Sequence, residues 1–230
     1  MANKFLVCEY TPVMPGKTQA LTQDMSLPNP VEKLSEADYL RLERAAQFKS
    51  QFYDGEMFAM SGGTRWHSLI TGNLIRELGT ALKKQKCLVY DSNMRVKVEA
   101  TGLYTYPDVV VAGNDQRFLD GVMDTLLNPS LLIEVLSEST EAYDRGKKFI
   151  HYRRIPSLNE YLLVSQTEPV VEQFIRTAPD EWTLRLVTGL DAHIELPSLE
   201  ITLALSEIFS KIDFASGLAV PSAKFPSQPT

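Results

Sequence analysis

Leu131-Leu132-Ile133-Glu134-Val135-Leu136 is a run in which one carboxylate interrupts five aliphatic side chains. A strand with one wet face alternates apolar and polar residues. A run apolar on both faces reads as a central strand covered on both sides. Tyr161-Leu162-Leu163-Val164 reads as a second buried strand. Between them, Ser139-Thr140 can cap a helix from Glu141 to about Arg154, with Pro156 ending it. Strand, crossover helix and strand make a βαβ unit, which places the chain in the α/β class. Glu134 is costly in such a strand unless something charged compensates it. Asp108, in Pro107-Asp108 ahead of Val109-Val110-Val111, poses the same problem. Two such acids, one strand and crossover apart, suggest a shared cation.

The remaining pattern adds helix and strand on both sides of this unit. Residues 1–30 read as an irregular arm, with Pro12, Pro15, Pro28 and Pro30. Ser35 can cap a helix running to about Phe48. Phe52 to Met60 reads as a hairpin around Asp54-Gly55. A long helix is predicted from about Trp66 to Lys84, with Leu69, Ile70, Leu74, Leu78 and Leu82 on one face. Strands are predicted at about Cys87–Tyr90, Asn93–Val98 and Tyr106–Ala112. The polar stretch 114–128 reads as loop with a short helical turn. Val170–Thr177 and Trp182–Thr188 form a second hairpin pattern, and Ile201–Leu205 one more strand. The tail, residues 213–230, is predicted to be disordered; from about Ser216 it is rich in Pro, Ser and Lys. One domain, residues 31–212, is expected between arm and tail.

Composition excludes several classes. Cys8 and Cys87 are the only cysteines in 230 residues, so neither a disulfide framework nor a CxxC metal knuckle is available. No stretch is long and apolar enough to span a bilayer, and the N-terminus lacks a secretory pattern. A cytoplasmic location without membrane contact is the expectation. The formal charge of −6 argues against a chain coated in nucleic acid. Basic residues nevertheless cluster at Lys83, Lys84, Lys86, Arg95 and Lys97, and at Arg145, Lys147, Lys148, Arg153 and Arg154. These two stretches are expected on the side that carries the acids.

The ordered set Tyr53-Asp54-Gly55-Glu56, His67, Tyr106-Pro107-Asp108, Ile133-Glu134-Val135-Leu136-Ser137, Tyr143-Asp144-Arg145-Gly146-Lys147-Lys148 and Ser157 to Val164 resembles the Uma-two family. That family lies within the PD-(D/E)xK restriction-endonuclease-like superfamily, and the likeness covers roughly residues 35–205. The resemblance implies a mixed sheet flanked by helices, with added antiparallel hairpins. It implies a Mg²⁺- or Mn²⁺-dependent endonuclease acting on DNA, with a homodimer as an assembly to test. It carries Asp108 and Glu134 over as metal ligands. The superfamily places a lysine two residues after the second acid, where this chain has Leu136. Lysine migration onto the following helix makes Lys148 the catalytic candidate. Lys148 to Tyr152 also resembles a QxxxY helix motif with Lys in place of Gln.

Bland readings compete at each position. Asp144 and Lys148, at i and i+4, can form an ordinary helix ion pair. Lys147, about 100° round the helix, is the alternative lysine. Glu56 is either a third acid or an exposed hairpin carboxylate. His67 either meets the site or caps its helix. Tyr152 and Tyr161 fit a core as well as a site. Leu136 favours a rival from another class: a catalytically impaired nucleic-acid-binding or regulatory module on the same fold. A third reading makes the acids merely structural.

Overall fold

The structure, a computed structural model, describes residues 33–60 and 62–214. The N-terminal arm and almost all of the predicted disordered tail lie outside the described residues.

Helix α1 (Glu36–Ala45) starts as its cap predicts: the Ser35 hydroxyl accepts from the Asp38 N–H at 3.1 Å. It ends three residues before Phe48. The hairpin β1 (Ser50–Tyr53) and β2 (Glu56–Ala59) turns on Asp54 and Gly55, at φ 49° and 81°. Two successive left-handed residues give a turn whose twist matches the strands. Helix α2 (Arg65–Ala81) is capped by Thr64, whose hydroxyl accepts from the His67 N–H. It buries Ile70, Leu74 and Leu78, the predicted stripe.

Then follow β3 (Leu88–Asp91), β4 (Arg95–Val98), β5 (Leu103–Thr105), β6 (Val109–Ala112), β7 (Thr125–Leu126) and β8 (Leu131–Val135). The crossover consists of α3 (Glu141–Tyr143), a π turn over Asp144–Lys148 and α4 (Phe149–Tyr152). Next come β9 (Glu160–Val164), β10 (Val170–Ala178), β11 (Glu181–Thr188), β12 (His193–Leu196), a short 3₁₀ turn, β13 (Ile201–Ala204) and α5 (Leu205–Ile208). One sheet has the order β11-β10-β9-β8-β6-β3, with β8 and β9 parallel and the other pairs antiparallel. A second sheet has the order β2-β1-β5-β4-β7, and β12 pairs with β13. The fold is the expected mixed α/β architecture.

Burial follows the alternation of β8. Leu131, Ile133 and Val135 share a core with Ile70, Leu74 and Leu78 of α2. Leu132 and Leu136 share the other core with Val96, Val98 and Leu103 of the second sheet and with Tyr152 and Tyr161. Every residue of β8 and β9 is buried, as two covered faces require.

Several local expectations are corrected. Residues 114–128 contain no helical turn. They contribute β7, which pairs parallel with β4, and a bridge between Phe118 and Leu126. The strand predicted from Tyr106 starts at Val109, and β5 and β12 were not foreseen. Strands of two to four residues are too short to show a period. The crossover helix ends at Tyr152 instead of Arg154, lacks a side-chain cap at Thr140 and is widened by the π turn.

Candidate active site in a polar cleft

The antiparallel register of β6 and β8 pairs Val109 with Ile133. One step further along the same ladder, Asp108 falls beside Glu134. Pro107 cannot donate to a ladder, so the chain enters β6 at this point and the Asp108 side chain is released from the strand. Its Oδ2 accepts the Val135 N–H at 2.8 Å and lies 3.0 Å from His67 Nε2. His67 comes from the first turn of α2, so its contact joins that helix to the sheet.

Glu134 shares its strand face with Leu132 and Leu136, under the crossover helix. Its Oε1 accepts from Lys148 Nζ and from the Tyr152 hydroxyl, both at 2.8 Å. Lys148 also lies 3.1 Å from Asp144 Oδ1, and the Tyr161 hydroxyl donates to the Asp144 carbonyl at 3.2 Å. Glu134, Asp144 and Lys148 are each at most 4% exposed. The π turn holds Asp144 and Lys148 together on its inner side; such turns recur at functional sites because they re-aim side chains. Asp144 and Lys148 are thus an i, i+4 pair, as the spacing allows, but a buried one.

Burial pushes the Glu134 carboxyl up to about 8, against the pull of Lys148 and with the help of Asp144 and Asp108. Burial alone would lower the Lys148 ammonium, yet Glu134 and Asp144 raise it above its ordinary value. Burial, and then the adjacent Glu134, hold the Tyr152 phenol protonated as a donor. One ammonium faces three neighbouring carboxyl groups, and below about pH 8 the protonation of Glu134 offsets part of their negative charge.

Lys148 thus meets Glu134 from the helix above the strand. Leu136 is buried in the core where the strand lysine would stand, while Lys148 reaches Glu134 across the same face. Lys147 is exposed, and Glu56 is exposed on β2, away from the cleft-lining residues.

Asp108, Glu134, Asp144, Lys148 and His67 line one cleft of about 1530 Å³. The expectation that both basic stretches share its side is corrected in part. Arg145 and Lys148 line it. Lys83, Lys84 and Lys86 follow the far end of α2, about 25 Å along the helix from His67. Arg95 is buried between Tyr106 and Asp124, and Lys97 pairs with Glu36. Two cleft residues were missed. Gln166 accepts from the Thr64 hydroxyl and donates to the Leu136 carbonyl, tying the cap of α2 to the end of β8. Lys49 also lines the cleft. In the sequence both sit in short polar stretches that signal only a loop.

Among the described residues, no group of three or more His, Cys, Asp or Glu forms a ready cage for a metal. The hydrogen bonds to the two principal acids fall on Asp108 Oδ2 and Glu134 Oε1, which leaves one oxygen of each without such a bond among the described residues. Two hard oxygen donors in a roomy polar cleft fit an ion that keeps several waters, as Mg²⁺ does.

A family model described as "Putative restriction endonuclease", Uma2, matches residues 36–206. Two relatives come from Synechocystis sp. (strain ATCC 27184 / PCC 6803 / Kazusa). The uncharacterized protein sll1609 is 36% identical over 168 residues, covering 73% of this chain and 95% of that protein. The uncharacterized protein slr1290 is 34% identical over 185 residues, covering 80% and 96%. A crystal structure from Anabaena variabilis ATCC 29413, described as a "putative nuclease belonging to DUF820", superposes with a TM-score of 0.63 at 18% identity. The match covers 76% of this chain and 96% of that one. At that identity the likeness is one of fold.

Proposed function

The chain belongs to the Uma2 family, and on that premise we propose that it is a Mg²⁺-dependent endonuclease that hydrolyses DNA phosphodiester bonds, with Mn²⁺ able to replace Mg²⁺. The observation that carries this reading is the Lys148 ammonium, 2.8 Å from Glu134, supplied by the helix where the strand has Leu136. Acid, acid and lysine are the set that the chemistry needs.

Asp108 and Glu134 would hold the ion through the oxygens left without hydrogen bonds. A divalent ion at such a site polarises the scissile phosphate and makes a bound water more acidic. Lys148 places a fixed positive charge where negative charge grows on the phosphate during attack, in surroundings that water screens poorly. Tyr152 donates to Glu134 and fixes its orientation. His67, with a proton on Nε2, would do the same for Asp108.

The test uses one preparation for two measurements. Calorimetry with Mn²⁺ should show binding in the parent and its loss in Asp108→Asn and Glu134→Gln. Plasmid cleavage should fail in the same variants. Undiminished metal binding in both would end the reading. Leu136 favours the rival, a nucleic-acid-binding module without turnover. Metal and DNA binding without cleavage would select that rival.

A further inference from the structure

Lys49 and Phe48 form the part of the cleft wall that the acids and Lys148 do not explain. Of the lysines and arginines lining the cleft, Arg145 pairs with Glu141 and Glu172, and Lys148 with Glu134 and Asp144. Lys49 has no carboxylate partner among the described residues. Its ammonium donates to the Ser92 carbonyl at 2.7 Å and lies 5.4 Å from the Tyr106 ring centroid. It is therefore oriented but not neutralised. Phe48 lines the same cleft and is 80% exposed, the most exposed large apolar side chain among the described residues. The backbone just after these two residues is held: the Ser50 N–H donates to the buried Glu43, and the Tyr39 hydroxyl donates to the Ser50 carbonyl. An exposed aromatic ring on an anchored backbone, next to an ammonium with no carboxylate partner among the described residues, is a poor arrangement in water and a good one for a nucleotide. The ring accepts a base by stacking, and the ammonium accepts the adjoining phosphate.

Resting on the nuclease reading of this cleft, we propose that Phe48 and Lys49 dock an unpaired nucleotide beside the scissile phosphate, so that the preferred substrate is single-stranded DNA or a duplex with a frayed or flap end. A base inside a duplex is covered on both faces by its neighbours and has none free for Phe48. An unpaired base does. Stacking tolerates any sequence, because every base offers a π face. The lip selects strand structure and not sequence.

Anisotropy of a fluorescein-labelled short thymidine oligonucleotide, and of a mixed-sequence duplex of the same length, tests this on the full chain in Ca²⁺. The parent should bind the single strand more tightly. Phe48→Ala and Phe48→Leu should weaken that binding about tenfold, the size of one lost stack, while Phe48→Trp retains it. A structural role would not separate Leu from Trp at a position this exposed. Lys49→Gln should lower the salt slope by about 0.7, one phosphate contact on a single strand. Parent-like binding by Phe48→Leu and Lys49→Gln, or tighter parent binding to duplex, overturns the proposal. If those variants also leave plasmid cleavage intact, the lip alone is wrong. If the parent neither binds nor cleaves either DNA, the nuclease reading falls with it.

Discussion

Replacing Lys148 by Met keeps much of the buried stem and removes only the charge. Glu134 and Asp144, both nearly inaccessible, then face each other without their shared cation. Glu134 stands at about 8 with Lys148 present, against an ordinary value of 4.5, so at pH 7 the parent already carries the cost of keeping it protonated and the variant adds little to that cost. What the variant loses is the attraction of Glu134 and Asp144 for the ammonium, which raises Lys148 above its ordinary value of 10.5. Removing one partner of a buried ion pair in this way costs about 3 kcal/mol. The sign follows from the raised value. A lysine with a raised folded pKa contributes stability that is fully present below its ordinary value and is lost only as pH rises through the folded value. Urea unfolding should therefore show a loss of about 3 kcal/mol at pH 6 and at pH 7 alike. The midpoint should fall by about 1 to 2 M for a slope of about 2 kcal/mol/M. Adding Asp144→Asn should recover most of the loss, because the orphaned charge is gone. A loss under about 1 kcal/mol at pH 7, or a loss that changes by more than about 1 kcal/mol between the two pH values, or no recovery in the double variant, would refute the burial argument.

Three further outcomes are expected. Lys147→Ala, at an exposed position one residue away, should change stability by less than about 0.5 kcal/mol in the same urea experiment. Tyr152→Phe removes a donor to a buried carboxyl and should cost about 2 kcal/mol by urea unfolding, with the secondary structure seen by circular dichroism retained. Asp124, held well below the usual carboxylate range first by Arg44 and further by Arg95, stabilises the fold above its ordinary pKa of 3.8. That stability is lost as pH falls toward its depressed value. Asp124→Asn should therefore be less stable than the parent at pH 7, and the difference should shrink in acid titrations from pH 4 to pH 2.

The π turn marks the border between what could be read and what could not. Spacing alone puts Asp144 and Lys148 on one helix face, which fits an exposed ion pair as well as a buried one. Only the packing of Tyr152, Tyr161 and β8 beneath that face makes the pair a buried partner of Glu134. The basic run near Lys83 illustrates the opposite error. A local cluster of charge says nothing about where it lies relative to an acid such as Asp108, 25 residues further along the sequence.

The amino-acid sequence by itself determined the central strands, the βαβ crossover, the first hairpin, the helix cap at Ser35, and the identity of Asp108 and Glu134 as acids in apolar surroundings. Those features are local. Periodicity, turn chemistry and the cost of a lone carboxylate act within a few residues. Tertiary structure decided the rest: the antiparallel register that sets Asp108 beside Glu134, the arrival of Lys148 from the covering helix, the hydrogen bond between His67 and Asp108, and the wall formed by Phe48 and Lys49. Each of these depends on which faces are buried against one another. A residue's neighbours across a core are set by packing and desolvation over the whole sheet, a sum to which no short stretch of sequence has access.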